Sequence, residues 1–400
     1  MPVTLGFLGM SLLALLVVNL GSAAGHVPPV AELVGWLQPW ARYDAGWYYA
    51  IAKDGYFYRA GQQSSVAFFP TYPLLMRAGG AFAGIYLAGV VLTVVAGLTS
   101  VLLLTRWCAG RVSRRATLTT VALLLVYPYS LFLYGAVYAD AVFLACALGA
   151  FLLLERGHPW LAGLVGALAT AGRPVGVAVA AGLTVRAVEL AHQRATAGRP
   201  VGRPAGVRAS GVGGWSQRAR AGLEAAVRSL RFVRWSDAGV LVSGTGLAGY
   251  MAFQWVAFGN PVAFVATESS PGWDQGTGPR TWFKVAFFGT MLHGDPGEVA
   301  RLLVPALLCL GTLLLLPRIQ RRFGWGYTVF TAIAVAIPVV GTKDFMGSGR
   351  YLLVAFPAFA VLGQLLAEEW PRTARAVVLP VSAVLLVVAT AAYGQGFEVS

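Results

Sequence analysis

Long apolar segments, broken by short basic loops and by one long aromatic loop, run the length of this 400-residue chain. They fall at about 4–22, 83–105, 117–136, 139–155, 159–172, 174–190, 238–258, 299–316, 324–341, 351–366 and 376–393. A hydrocarbon core ~30 Å thick takes roughly 17–25 helical residues to cross, and most of the segments are that long. Period-two alternation is absent, and backbone in lipid must satisfy its own hydrogen bonds, so the segments are expected to be helices. The pattern predicts an all-α, polytopic integral membrane protein of about eleven transmembrane helices, forming a single domain over residues 1–400. Arg173-Pro174 interrupts a continuous apolar run, so the limits of the fourth to sixth segments are the least definite. The first segment is followed by the small residues "GSAAG" but lacks a basic leader and has a long apolar stretch, so it is expected to be a retained span rather than a cleaved signal peptide.

Composition supports the membrane reading. The chain is 57% hydrophobic and 12% charged, too few charges to keep the surface of a soluble domain wet. Its net charge of +14 would suit nucleic acid, but the distribution argues against that partner. The cations gather in "RWCAGRVSRR", in the Arg-rich stretch 186–234 and in "PRIQRR", all between spans. Short basic loops mark the cytoplasmic side and attract anionic headgroups. The N-terminus is then cytoplasmic, the C-terminus exterior, and the long segments 23–82 and 259–298 exterior. Segment 191–235 contains "GRPVGRPAGVRASGVGG", which cannot build a core and reads as a flexible basic linker. Arg, Ala and Gly greatly outnumber Lys, which points to a bacterial plasma membrane as the location. Cys108, Cys146 and Cys309 offer neither a disulfide framework nor a CxxC metal pattern. No internal repeat or matched pair of broken helices is evident, which weighs against a secondary transporter.

The first exterior segment holds "WARYDAGWYYAIAKDGYFYRAGQQSSVAFFPTYPLL", residues 40–75. Asp44, Trp47, Tyr48 and Ile51 share one face of a helix, and Trp36 and Trp40 stand four apart. Such amphipathic rings prefer the headgroup level, so short interfacial helices are expected here, with Gly55, Pro70 and Pro73 as breaks. Asp44 would lie at the water–lipid boundary, as a helix N-cap or as a catalytic carboxylate. Asp54, just before a glycine, reads as a solvated turn residue.

Four further charges map to the same exterior surface. Arg173, in "LATAGRPVGVAV", needs an anionic partner or a place at a span end, where it could simply snorkel. Arg350 and Lys343 lie at the exterior end of a late span, and Asp140 at that of another, where it could equally cap a helix. A carboxylate among several cations at this depth suits a substrate with a headgroup phosphate and a tail in lipid. Asp can take a proton from an attacking hydroxyl, while Arg and Lys stabilise a departing phosphate.

The motifs "RYDAGWYYAIAKDGY", "FFPTYPLLMR", "YPYSLFLYGAVYADAVFL", "WLAGLVGALATAGRPVGV", "FGNPVAFV" and "GSGRYLLVAFP" stand in that order between Trp40 and Pro357. In content and order they resemble the PIG-V family, mannosyltransferases related to the enzyme that adds the second mannose of GPI anchors. The resemblance implies a GT-C-like membrane fold and an inverting transfer of mannose, or a related hexose, from a polyprenyl-phosphate sugar. It implies Asp44 as the base, Arg173 as the family's Arg-Pro arginine and Arg350-Tyr351 as its late Arg-Tyr pair. Trp47, Tyr48, Asp140, Lys343 and Tyr351 complete the candidate substrate-binding set, with no metal ligand assigned and a divalent ion left open. The chain departs from the family at Ala139-Asp140-Ala141, where a Thr/Ser-Glu-Ser-like group is common, and at Val175, where Asn is common. A bacterial host builds no GPI anchor, so the expected acceptor is another glycolipid, glycan or protein. Two rival functions remain open, a lipid-linked sugar flippase and a non-catalytic scaffold of envelope assembly that would tolerate loss of Asp44.

Overall fold

The computed structural model describes residues 2–25, 33–196, 230–273, 275 and 278–399, and among these the chain is helical with no strand beyond one bridge between Ala109 and Val112. The first half comprises α1 (Pro2–Ala23), α2 (Asp44–Asp54), α3 (Thr71–Ala83), α4 (Ile85–Cys108), α5 (Arg114–Val126), α6 (Leu131–Tyr134), α7 (Asp140–Glu155), α8 (Pro159–Thr170) and α9 (Val177–Thr196). A 3-10 segment, Trp235–Gly244, then leads into α10 (Thr245–Phe258), followed by the short helices α11 (Ala263–Glu268), α12 (Pro279–Trp282) and α13 (Val285–His293). The chain closes with α14 (Pro296–Phe323), α15 (Trp325–Gly341), α16 (Ser348–Tyr351), α17 (Phe356–Gln364) and α18 (Arg372–Gln395).

All eleven apolar segments carry helix. Among the described residues, six helices can cross a membrane alone by length and apolarity: Pro2–Ala23, Ile85–Cys108, Pro174–Thr196, Trp235–Phe258, Pro296–Phe323 and Arg372–Gln395. The pair Ser348–Val354 and Phe356–Glu369, bent by 80°, makes a seventh if taken as one span. Pro159–Thr170 and Trp325–Gly341 are shorter apolar helices. The chain is therefore a multi-pass membrane protein in which several apolar segments are broken or short. Segment 117–136 shows why: Pro128 has no N–H and pushes Tyr127 out of the helical region, so α5 stops at Val126 and a turn precedes α6. Helix α9 carries on to Thr196, past the expected start of the basic linker, and residues 197–229 of that expectation lie outside the described residues.

Local signals set the other boundaries. Ser113 caps α5 by accepting from the Ala116 N–H, and Asp295 caps α14 by accepting from Gly297 and Glu298. Pro70 stands, as expected of a break, between the 3-10 turn Ser65–Ala67 and α3, whereas Pro73 lies inside α3 without interrupting it. Pro70 occupies the N-cap and Pro73 the first turn of α3, where a missing N–H costs nothing. Small residues let the helices close: a Cβ at Gly163 of α8 would collide with the Gly239 carbonyl of the 3-10 segment. Around the buried α7 pack α4, α6, α8 and α9, while α1 lies along α18 and α9 along α15.

Candidate functional site

At the end of the bundle opposite the basic loops, two carboxylates and two guanidiniums meet out of water. Arg350, on the single turn α16, donates from Nη1 to Asp44 Oδ2 at 3.0 Å. Its Nε lies 3.9 Å from Asp140 Oδ2, and Asp140 Oδ1 is paired with Arg173 Nη1. Three of the four side chains are at most 10% exposed, whereas that of Asp44 is 28% exposed. Asp44 is thus the member that a substrate can reach.

Both carboxylates were open to a capping role, and the structure rejects it for each. Asp44 and Asp140 are the first residues of α2 and α7, the N-caps are Tyr43 and Ala139, and neither cap makes a side-chain bond to the backbone. Each carboxylate does sit at the positive end of a helix dipole. Arg173 does not snorkel. It is 6% exposed at a break between α8 and α9, its guanidinium on Asp140 and its carbon centre 4.3 Å from the Tyr351 ring centroid.

Aromatic rings wall the cluster. Arg350 lies over Tyr138 at 4.8 Å, Phe132 at 5.3 Å and Tyr351 at 5.6 Å, geometry in which ring faces stabilise a buried cation. The Asp44 N–H donates to the Tyr138 hydroxyl at 3.3 Å. Tyr48 is buried against Phe68, Tyr72 and Tyr138, so it shapes the wall. Trp47 is half-buried, stacked on Phe68 at 5.7 Å and edge-on to Trp273 at 5.6 Å, which joins the two exterior segments. Lys343 is half-buried and its N–H donates to the Gln275 side chain of the second exterior segment. Asp54 ends α2 and is exposed, as expected of a solvated residue.

Sequence reasoning missed several members of this site. Glu268, at the end of α11, lies close enough to feel the charge of Asp44; burial first and that charge second push its carboxyl up to about 7. It is a lone acid in "NPVAFVATESSPGW", a signal too slight to stand out before the fold brings it to α2. Burial and the charge of Asp44 likewise raise Glu398, near the C-terminus. Arg42 is 7% exposed and bonds Ser22 Oγ through Nη2 alone. Tyr43, between Arg42 and Asp44, holds a positive φ of 53° that is strained for an aromatic residue.

Hydrogen-bond accounting adds a second feature. Among the described residues, the buried side-chain atoms without a partner are Arg42 Nε and Nη1, Tyr43 Oη, Thr267 Oγ1, Ser270 Oγ, Ser348 Oγ and Arg350 Nε. All can donate, and each belongs to Arg350 or lies within two residues of Asp44, Glu268 or Arg350. Buried donors are rarely left unpaired, and these fall in the three segments that carry Asp44, Glu268 and Arg350. Among the described residues, no group of three His, Cys, Asp or Glu side chains is placed to hold a metal ion.

Fold and site together define a class: an all-helical, multi-pass membrane protein with a charged, aromatic-walled cluster at one end. No protein-family model and no curated protein matches the chain. Two solved structures from Archaeoglobus fulgidus are distantly similar to it, an apo oligosaccharyltransferase (TM-score 0.43) and the oligosaccharyltransferase AglB in complex with an inhibitory peptide and a dolichol-phosphate (TM-score 0.41). Each is 12% identical over 98% of this chain, which spans 56% of the length of those chains.

Proposed function

We propose that the chain is an inverting, GT-C-type glycosyltransferase that moves mannose, or a related hexose, from a polyprenyl-phosphate donor to an acceptor hydroxyl on the exterior membrane face. The observation that carries this reading is the exposure of Asp44 within an otherwise buried cluster, with its carboxylate oriented by Arg350. Asp44 takes the proton of the acceptor hydroxyl as that oxygen bonds to the anomeric carbon. The bond from that carbon to the phosphate oxygen breaks, and polyprenyl phosphate leaves with the electron pair. The order of motifs shared with the PIG-V family supports the same assignment.

The pairing of charges alters the roles within this reading. Arg173 is committed to Asp140, and so acts as the counter-charge of Asp140 beside Arg350. Arg350 keeps a free Nε, and that N–H is the donor we assign to the departing phosphate. Trp47, half-buried at the junction of the two exterior segments, is assigned to the sugar or acceptor.

The test is to incubate purified protein with polyprenyl-phosphate mannose, and separately with the glucose analogue, and to measure release of polyprenyl phosphate. Release that depends on an added acceptor and is lost in Asp44→Asn supports the reading. Translocation of intact donor across a vesicle without release would establish a flippase instead.

A further inference from the structure

The bundle has a second place built for an amphipathic anion, at the end that bears the basic loops and far from Asp44. A groove of about 260 Å³ runs between α5 and α18, lined by Arg115, Leu118, Thr119 and Ala122 on one helix and Arg375 and Leu379 on the other. The α5 residues are spaced i, i+3, i+4 and i+7, and the α18 pair i and i+4, so each set forms one stripe and the two stripes face each other. Arg115 and Arg375 stand at the first turns of α5 and α18, putting two guanidiniums at one mouth. Below them the walls are Leu118, Ala122 and Leu379. The remaining polar atom, the Thr119 hydroxyl, is already used on the Arg115 carbonyl of its own helix.

Among the described residues, neither Arg115 nor Arg375 has an ion-pair or hydrogen-bond partner for its guanidinium. The nearby carboxylate Glu368 accepts from the Ser113 hydroxyl. Three other arginines of that end are already engaged. Arg111 and Arg186 are paired with Glu155, and Arg322 donates to Gln364. Two free cations from different helices, over an apolar floor, match one chemistry: a phosphodiester joined to hydrocarbon. Arg115 to Ala122 spans about 10 Å of helix, enough for a glycerol backbone and the top of an acyl chain.

We propose that this groove is a specific site for an anionic phospholipid of the adjacent leaflet, with the phosphate between Arg115 and Arg375 and an acyl chain along Leu118, Ala122 and Leu379. The bound lipid bridges the ends of α5 and α18. Helix α18 reaches the opposite face of the bundle, where the Tyr393 hydroxyl donates to the Trp40 carbonyl four residues before Asp44. Generic headgroup attraction would act equally on any exposed arginine of the same end, such as Arg318 and Arg321.

The test is native mass spectrometry of the full chain, stripped of lipid in neutral detergent and titrated with dioleoylphosphatidylglycerol or dioleoylphosphatidylcholine. One phosphatidylglycerol should be retained preferentially, and Arg115→Gln with Arg375→Gln should weaken it roughly 30-fold. The paired control Arg318→Gln with Arg321→Gln removes the same charge and should leave retention unchanged. Leu379→Trp fills the groove with both arginines present and should also lose the lipid, which covers the case of a misfolded double variant. Equal retention of phosphatidylcholine would reduce the site to an apolar groove. Competition by inorganic phosphate at the affinity of the lipid would reduce it to an anion site. Equal losses in the groove and control pairs would establish diffuse attraction, and any of these three outcomes overturns the proposal.

Discussion

Helix α7 has a charge cluster at each end, about 22 Å apart by the rise of the helix, and the two clusters are finished differently. At its C-terminus Glu155 pairs with Arg111 and Arg186 and accepts from the Tyr327 hydroxyl at 2.7 Å, while Trp107 donates to the same hydroxyl. Glu189 pairs with Arg186 and accepts from the N–H groups of Trp325 and Gly326, capping α15. None of the partnerless buried atoms lies there. At the N-terminus Asp140, Arg173, Arg350 and Asp44 also form a balanced set, but it leaves Asp44 part-exposed, and partnerless buried donors occur on Arg350 itself and within two residues of Asp44 and Arg350. A closed network is what four helix ends need to stay together. An open one, with its polar groups already desolvated, is what a binding site needs, because little remains to be reorganised when the ligand arrives.

The difference can be broken most sharply at Asp44. Asp44→Asn keeps size and the bond to Arg350 but cannot accept a proton at neutral pH, so kcat for polyprenyl phosphate release should fall ~10²–10⁴-fold. The melting temperature should barely move, since a charged hydrogen bond becomes a neutral one at a part-exposed residue. Near-normal turnover would remove Asp44 from the chemistry and leave Asp140 and Glu268 as the carboxyls to test.

Glu155→Ala should give the opposite pattern. It strands Arg111, Arg186 and the Tyr327 hydroxyl, and because these charged side chains are 12–24% exposed the cost should fall below the about 3–5 kcal/mol of a fully buried pair. Thermal unfolding should shift strongly down, while turnover per folded molecule stays close to that of the wild type. A variant that is stable but inactive would mean that the two ends of α7 are functionally coupled.

Arg173→Lys separates charge from shape at the open end. Lysine can still neutralise Asp140, but it loses the planar fork and the overlay on Tyr351, an interaction of about 1 kcal/mol in such settings. Stability should drop by about that amount, and the Michaelis constant for the donor should rise less than tenfold. A collapse of donor binding measured by equilibrium titration would return Arg173 to direct phosphate contact.

Glu268 gives the smallest and most specific effect. Its carboxyl is raised to about 7 in the folded chain, from an ordinary value near 4.5. The folded state therefore holds this proton more tightly than the unfolded state. The associated stability is present in full below about 4.5 and is lost as pH rises through about 7. Glu268→Gln should flatten that part of the stability–pH curve, read from melting temperatures between pH 4.5 and 7.5. An unchanged slope would place Glu268 away from Asp44.

Some of this was settled by the sequence. Apolar segments long enough for lipid, with no period-two alternation, dictate helices, because backbone in hydrocarbon has few ways to satisfy itself. The aromatic run after Tyr43 specifies a short helix with Asp44 at its start, as observed. That Asp44 and Asp140 pair with arginines rather than cap their helices needed the tertiary structure, since the partner is 306 residues away in one case and 33 in the other. The same is true of Glu268, unremarkable along the chain until α11 comes close to α2. Hydrophobic periodicity is a property of neighbours in sequence, so it is legible there. Which charges neutralise one another, and which are left facing a ligand, depends on distances between helices, and only the folded chain fixes those.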